Sequence, residues 1–383
     1  MVETNTGGKI LDSIGTEWPF DLGKTLRWAA QNRKMSVVRM AFDVFRREIN
    51  RQKLTPQNYF SFGLHLARYT NKDRAEYIGD AATTVLNAAL SDQDTVALWR
   101  NKVATAVALE TAGLPTPAIR AVFSLDDKPQ PYPHLSSQAA LEDYFSSGGN
   151  LPFFGKAVDG HKGLGAASFV AREGSDRIVL GDGRVVEISK LATEIAQKFP
   201  HGYIFQDRLR QHPDMVAIGG QVMCTLRITS LWVGGKSVPL YANLRLPAPG
   251  AMLDLSWSNF ALVDHANGRI LRTSDGTKLG GNILVNSQVT GAPLIGAQLP
   301  FWPQVLDLSE KAHALFPKQG VIGLDFALTE DGPLVVELNA NPGHGGFHKV
   351  CDKGLLNPQS RALLVAALAE RGITRRGKGM PLP

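Results

Sequence analysis

Asp325, Glu337 and Asn339 are the residues whose types and spacing could do chemistry together. They fall in VIGLDFALTEDGPLVVELNANPGHGGFH, residues 321–348, where two runs of β-branched and apolar residues flank a Thr-Glu-Asp-Gly-Pro turn sequence. The pattern predicts a hairpin. Side chains two apart on a strand share a face, so Glu337 and Asn339 point the same way, and pairing around the turn sets Asp325 opposite them. Two carboxylates and an amide oxygen on one face suit a hard cation such as Mg2+, which keeps some waters and takes its remaining ligands from substrate phosphates. The plainer alternative is an acidic hairpin facing solvent. Against it, Glu337 follows Leu-Val-Val, and the chain then enters Asn-Pro-Gly-His-Gly-Gly, whose glycines let backbone N–H groups come close to a ligand.

Two further stretches carry cations. LPFFGKAVDGHKGLGAASFVA predicts a strand ending at Lys156, a glycine-rich hairpin loop from Asp159 to Gly165, and a second strand. Such a loop can fold over phosphates, with Lys162 inside it and Lys156 fixed on the strand. Its spacing is neither a Walker loop nor a dinucleotide fingerprint, and a surface hairpin rich in glycine is the alternative. In MCTLRITSLWV, Thr225 and Arg227 alternate with apolar neighbours and share a face that the core does not take. An arginine there is a rim salt bridge or an anion clamp suited to phosphate or carboxylate.

The elements that position these groups follow from periodicity. Residues 26–98 read helical, with apolar residues at three- and four-residue intervals and Thr55-Pro56 opening a helix. The aromatics of YFSFGLHLARY sit at helical spacing and read as core. Another amphipathic helix is expected from Leu98 toward Gly113, then loops, a short strand and a helix around Ala139 to Phe145. Strand-rich segments follow, and a closing helix runs from Gln359 to Glu370.

The 383 residues, 44% hydrophobic and 20% charged, have the composition of a globular chain of two or three packed units. Two cysteines, Cys224 and Cys351, form no disulfide framework and read as packing residues in a reducing compartment. No basic-then-apolar leader opens the chain and no apolar run is long enough to span a bilayer, which points to the cytoplasm. The net charge of +6 fits an anionic substrate such as a nucleotide, and no recognition helix or base-stacking motif supports nucleic acid.

A lysine closing a strand, a glycine-rich hairpin loop, the strand link QDRLRQHPDM, and an Asp followed by Glu-x-Asn on a late hairpin resemble, in that chain order, the ATP-grasp superfamily. NKVATAVALETAGLPTP at residues 101–117 fits the same pattern. The helical lead-in YFSFGLHLARYTNKDRAEYIGD, TLRI, and LIGAQLPFWPQVLDLSEKAHALFPKQGVIGLDFALTEDGPLVVELNANPG resemble the sugar-transfer-associated ATP-grasp family, over roughly Arg46 to Gly346. The resemblance implies an α+β fold, two α+β units clamping ATP, preceded by an N-terminal helical region. Its expected divisions are 1–97 (helical), 98–150 (linking), 151–209 (small subdomain with the glycine-rich loop) and 210–383 (large subdomain with the metal hairpin).

Carried over by position, Lys102 and Lys156 would contact phosphates, and the loop holding Gly160, His161, Lys162, Gly163 and Gly165 would cover them. The link Gln206, Asp207, Arg208 and Leu209 would read adenine, with Gln206 or Asp207 near base or ribose. Asp325, Glu337 and Asn339 would hold magnesium, two ions in all. Thr225, Arg227, Asn341, Gly343, His344 and Gly345 would shape the acceptor site. The implied reaction is ADP-forming ligation of a small-molecule carboxylate to an amine through an acyl phosphate, on a natural-product, cell-envelope or exopolysaccharide precursor. Phosphotransfer to a hydroxyl or histidine and a catalytically inactive nucleotide-binding protein are the alternatives, and a homodimer is compatible with either.

Three positions depart from the pattern. D-alanine ligase-like members carry an arginine two residues before the metal aspartate, where this chain has Gly323, so Arg227 is the candidate cation for a tetrahedral intermediate. The acidic residue usual in the strand link appears as Gln206-Asp207. The Gly-Gly expected after Asn259-Phe260 is replaced by Ala-Leu-Val.

Overall fold

The computed structural model describes residues 10–11, 20–147, 151–159, 163, 165–250, 259–276, 279, 283–375 and 380–382. They form two compact units, one comprising Met1–Thr16 with Asn101–Arg210, the other Glu17–Arg100 with Gln211–Pro383. Among the described residues no helix is long and apolar enough to cross a membrane.

The first unit is built on strands β1 (Ile119–Phe123), β2 (His134–Leu135), β3 (Phe153–Ala157), β4 (Ala167–Glu173), β5 (Arg177–Leu180), β6 (Val185–Glu187) and β7 (Tyr203–Asp207). Their order in one sheet is β2-β1-β7-β3-β4-β5-β6. Helices Gln138–Ser146 and Ile188–Lys198 pack on one face, where Phe145, Phe153, Phe169, Tyr203 and Phe205 form a buried aromatic core. The opposite face carries Val122, Val158 and Ile204 under Val103 and Ala106 of helix Lys102–Thr111. That helix does not start at Leu98: the Asn101 side chain accepts from the N–H groups of Val103 and Ala104 and separates it from helix Gln93–Arg100. An asparagine competes with the helical backbone and prefers such a cap, although the apolar period runs through it.

The second unit holds β8 (Thr225–Val233), β9 (Lys236–Leu246), β10 (Asn259–Val263), β11 (Ile270–Ser274), β12 (Val321–Thr329) and β13 (Gly332–Asn339), in the order β11-β10-β9-β8-β12-β13 with every pair antiparallel. Helix Trp302–Ala314 covers one face, its His313 ring meeting the Ser230 hydroxyl at 2.9 Å. On the other face, one end of the sheet, with Leu231, Tyr241 and Val321, joins a core with Leu26, Val44, Tyr59, Leu86, Leu364 and Leu368. The N-terminal helices therefore share this unit's core. β12 is buried along its whole length, so the hairpin is not the solvent-facing element of the plainer reading.

Candidate functional site

Register places the chemistry of the second unit on one face. Asp325 sits directly opposite Arg227 on β8 and opposite Glu337 on β13, and Gly323 pairs with Asn339. A bulge at Val336 is needed for this: Phe326 pairs with Val335 but Asp325 with Glu337, so Val335 turns to the core and Glu337 to the polar face. Arg227 forks onto Asp325, with Nε donating to Oδ1 and Nη2 to Oδ2, both at 2.6 Å. Burial works against the guanidinium charge, but Asp325 and then Glu337 hold the proton more firmly than usual. Asn339 Nδ2 lies 3.5 Å from Asp325 Oδ2. Arg227 thus makes a salt bridge on a partly buried polar face, with its side chain 13% exposed.

The donor set fits magnesium. All its donors are oxygens; Asp325, 4% exposed, faces a second carboxylate, and Arg227 already supplies positive charge beside it, so a cation would share this carboxylate with the guanidinium. Among the described residues no group of three His, Cys, Asp or Glu could hold a metal ion, so the Asn339 amide or a substrate oxygen has to complete the set.

Gly323 explains itself here. A Cβ at this position would stand 3.0 Å from Pro342 Cβ and 3.6 Å from Arg227 Cδ. Arg227 arrives beside the aspartate from the neighbouring strand.

Beyond the pair, His344 is buried and its Nδ1 is 2.7 Å from the Tyr241 hydroxyl. Burial, with Arg227 second, lowers its pKa to about 3, so the ring is neutral and shares a hydrogen bond with Tyr241. Asn341 and Gly343 lie in the loop between β13 and helix Gly345–Val350, which Gly345 begins; a Cβ at Gly343 or Gly345 would meet nothing within 4 Å. Packing therefore does not require glycine at these two positions. Thr225 pairs with Arg245 and Ala327 on the same face as Arg227. Sequence reasoning missed Tyr241, Asn243 and Arg245. Their two-residue spacing in YANLRL was the available signal, and register sets them beside Thr229, Arg227 and Thr225.

In the first unit, Lys156 pairs with Ile204 and so faces the side covered by helix Lys102–Thr111, which Lys102 begins. Lys102 Nζ donates to the Val158 carbonyl at 3.2 Å. Gln206, 5% exposed, shares that face two residues along β7. Asp207 pairs with Phe153, points to the other side and is held by Arg120, so the structure separates the two acceptors of the strand link. Arg208 and Leu209 follow β7 directly. Gly160, His161 and Lys162 lie outside the described residues. Gly163 and Gly165 have φ of +73° and +72°. Gly165 is also anchored, its carbonyl accepting from the buried Tyr203 hydroxyl at 2.7 Å, and a Cβ there would come within 2.5 Å of the Phe199 ring. Gly165→Ala is expected to cost the first unit about 1–3 kcal/mol in urea unfolding, through backbone strain and overpacking. An unchanged midpoint would show that the ring yields freely.

Residues 83–362 match the family described as "Sugar-transfer associated ATP-grasp". Solved structures similar to the chain include an L-amino acid ligase from Bacillus licheniformis (16% identity, 65% of this chain and 42% of that one, TM-score 0.34). Others are N5-carboxyaminoimidazole synthase from Aspergillus clavatus (13%, 73% and 54%, TM-score 0.40) and D-alanine-D-alanine ligase from Coxiella burnetii (14%, 74% and 60%, TM-score 0.40). The chain spans about half the length of the first two. No curated protein matches the sequence.

Proposed function

Because the chain belongs to the sugar-transfer-associated ATP-grasp family, we propose that it is an ATP- and magnesium-dependent ligase that joins a carboxylate to an amine and releases ADP and phosphate. The observation that carries this reading is the polar face where the buried Asp325 stands between the half-buried Arg227 and Glu337, with Asn339 beside it. The first unit takes the role of nucleotide holder: Lys102 and Lys156 neutralise phosphates, and Gln206 with the backbone of the strand link reads the base. The second takes the metal and the acceptor.

In the reaction, a substrate carboxylate oxygen attacks the γ-phosphorus as the bond to the bridging oxygen breaks, giving an acyl phosphate and ADP. An amine then attacks the acyl carbon and loses a proton as phosphate departs. Both steps gather negative charge on oxygen, which fixed cations stabilise where water is scarce. Magnesium, when bound, neutralises phosphate charge, and Asp325, Glu337 and Asn339 are the residues that would hold it. Arg227 meets the developing oxyanion, with Asp325 fixing its fork. Neutral His344, held by Tyr241, lends the acceptor loop a rigid base. The acceptor is a small-molecule, natural-product or envelope-polysaccharide acid, and the work takes place in the cytoplasm, where ATP is supplied.

The test is ADP release with ATP and magnesium across a panel of carboxylic acids, with and without amines, using hydroxylamine as a trap. Acid-dependent ADP release with hydroxamate formation is expected. ADP release that leaves phosphate on an acceptor, with no hydroxamate, would replace ligation by phosphotransfer.

A further inference from the structure

Helices Leu22–Asn32 and Val37–Ile49 pack against each other at the start of the second unit and carry a surface that the core does not use. Val37–Ile49 is apolar on two sides. Met40 and Val44 are buried in the core. On another side, Val38, Phe42, Phe45 and Ile49 succeed one another at steps of four, three and four residues, so they line a single stripe. Val38 is 79% exposed, Phe42 68% and Ile49 76%. Trp28 on the first helix adds a further exposed ring. Single exposed apolar residues are ordinary, but four along one helix make a contact surface.

Charge decides what it fits. Residues 21–53 hold nine Lys and Arg against three Asp and Glu, a surplus equal to the +6 of the whole chain, so the remainder is neutral on balance. Lys24, Arg27, Lys34, Arg39, Arg46 and Arg51 are exposed, and at 100° per residue Arg39 and Arg46 border the stripe along one side. A second copy of the chain would set this excess against its own like. Nucleic acid would meet the cations but leave the phenylalanines and isoleucine in water. An anionic lipid surface satisfies both features, with cations among the headgroups and the apolar stripe at the acyl boundary.

We propose that this surface seats the protein on an anionic membrane, with helix Val37–Ile49 lying in the interface plane and Val38, Phe42, Phe45 and Ile49 turned into it. The experiment is co-sedimentation of the full chain with vesicles of phosphatidylcholine containing 30 mol% phosphatidylglycerol, against pure phosphatidylcholine, at low and high salt. Binding is expected on the anionic vesicles, lost at high salt, and about tenfold weaker for both Phe42→Ser/Ile49→Ser and Arg39→Glu/Arg46→Glu. All four positions are exposed, so urea unfolding of the serine variant should match the parent; Arg46 also pairs with Asp43 at 3.5 Å, so Arg39→Glu alone is the control for the charge variant. The proposal fails if anionic and neutral vesicles bind alike, or if the serine variant binds as the parent does. It also fails if sedimentation velocity finds a dimer that the serine variant dissolves, or if the stripe is needed only to hold an acidic protein.

Discussion

Arg227→Met is expected to destabilise the second unit by about 3–5 kcal/mol and to remove turnover, because it leaves the Asp325 carboxylate buried opposite Glu337 with no guanidinium beside it. The pair can be separated from its chemistry. In Arg227→Met/Asp325→Leu both charges are gone, and apolar side chains of similar bulk stand in their place. Most of the lost stability should return, to within about 1 kcal/mol of the parent in urea, while ADP release stays absent. Glu337→Gln is the companion, since it keeps the Arg227–Asp325 fork; turnover should fall by about 10³-fold with the unfolding midpoint unchanged. If the double variant recovered turnover along with stability, the ion pair would be a structural clasp and the assignment of Asp325 to the metal would be wrong.

Acidification below pH 6.5 should destabilise the second unit through its buried histidines. His65 and His313 are buried, and burial lowers the pKa of each to about 4; His344 falls to about 3, and His348 is lowered too. Each is neutral when folded, whereas in the unfolded chain each takes a proton near the ordinary histidine value of about 6.5. The unfolded state therefore binds more protons below that pH, and stability drops by about 1.4 kcal/mol per pH unit per histidine as pH falls from 6.5 toward the folded pKa. Above pH 6.5 their contribution is fully present. Urea midpoints at pH 7.5, 5.5 and 4.5 should decline steeply. His65→Phe offers an internal control, since neither nitrogen of the ring has a hydrogen-bond partner among the described residues and the ring packs against Trp28 and Phe60. That variant should flatten the pH slope by one proton, and an unaltered slope would remove His65 from the account.

The hairpin, the strand that carries Lys156 and ends one residue after it, and the closing helix were legible because each is a local pattern: alternation, a turn sequence, a helical period. The register that joins them was not. Arg227 and Asp325 are 98 residues apart, and their meeting depends on how three strands align, including the bulge at Val336 that a count of alternating residues does not contain. Burial of β12 on both faces was hidden for the same reason, since it comes from a helix and a core assembled from distant segments. The histidines illustrate a different limit. His65 and His313 sit among polar and apolar neighbours alike, and their loss of charge comes from what covers them. In the strand link, Gln206 and Asp207 read as equivalent acceptors, and the pairing of Asp207 with Phe153 and Arg120 is what divides them.

The division of the chain has a consequence for its synthesis. The second unit is interrupted: its N-terminal helices are completed by residue 100, but Leu231, Val321 and Leu364, which share a core with Leu26, Val44 and Leu86, leave the ribosome at least 130 residues later. At about 5–20 residues per second that is at least about 7–26 seconds during which those apolar faces stand open. Residues 101–210, which follow in one uninterrupted run, can close their aromatic core in that interval. The early helices of the second unit thus wait for the last-made strands and helix, and a nascent chain of this design depends on their protection.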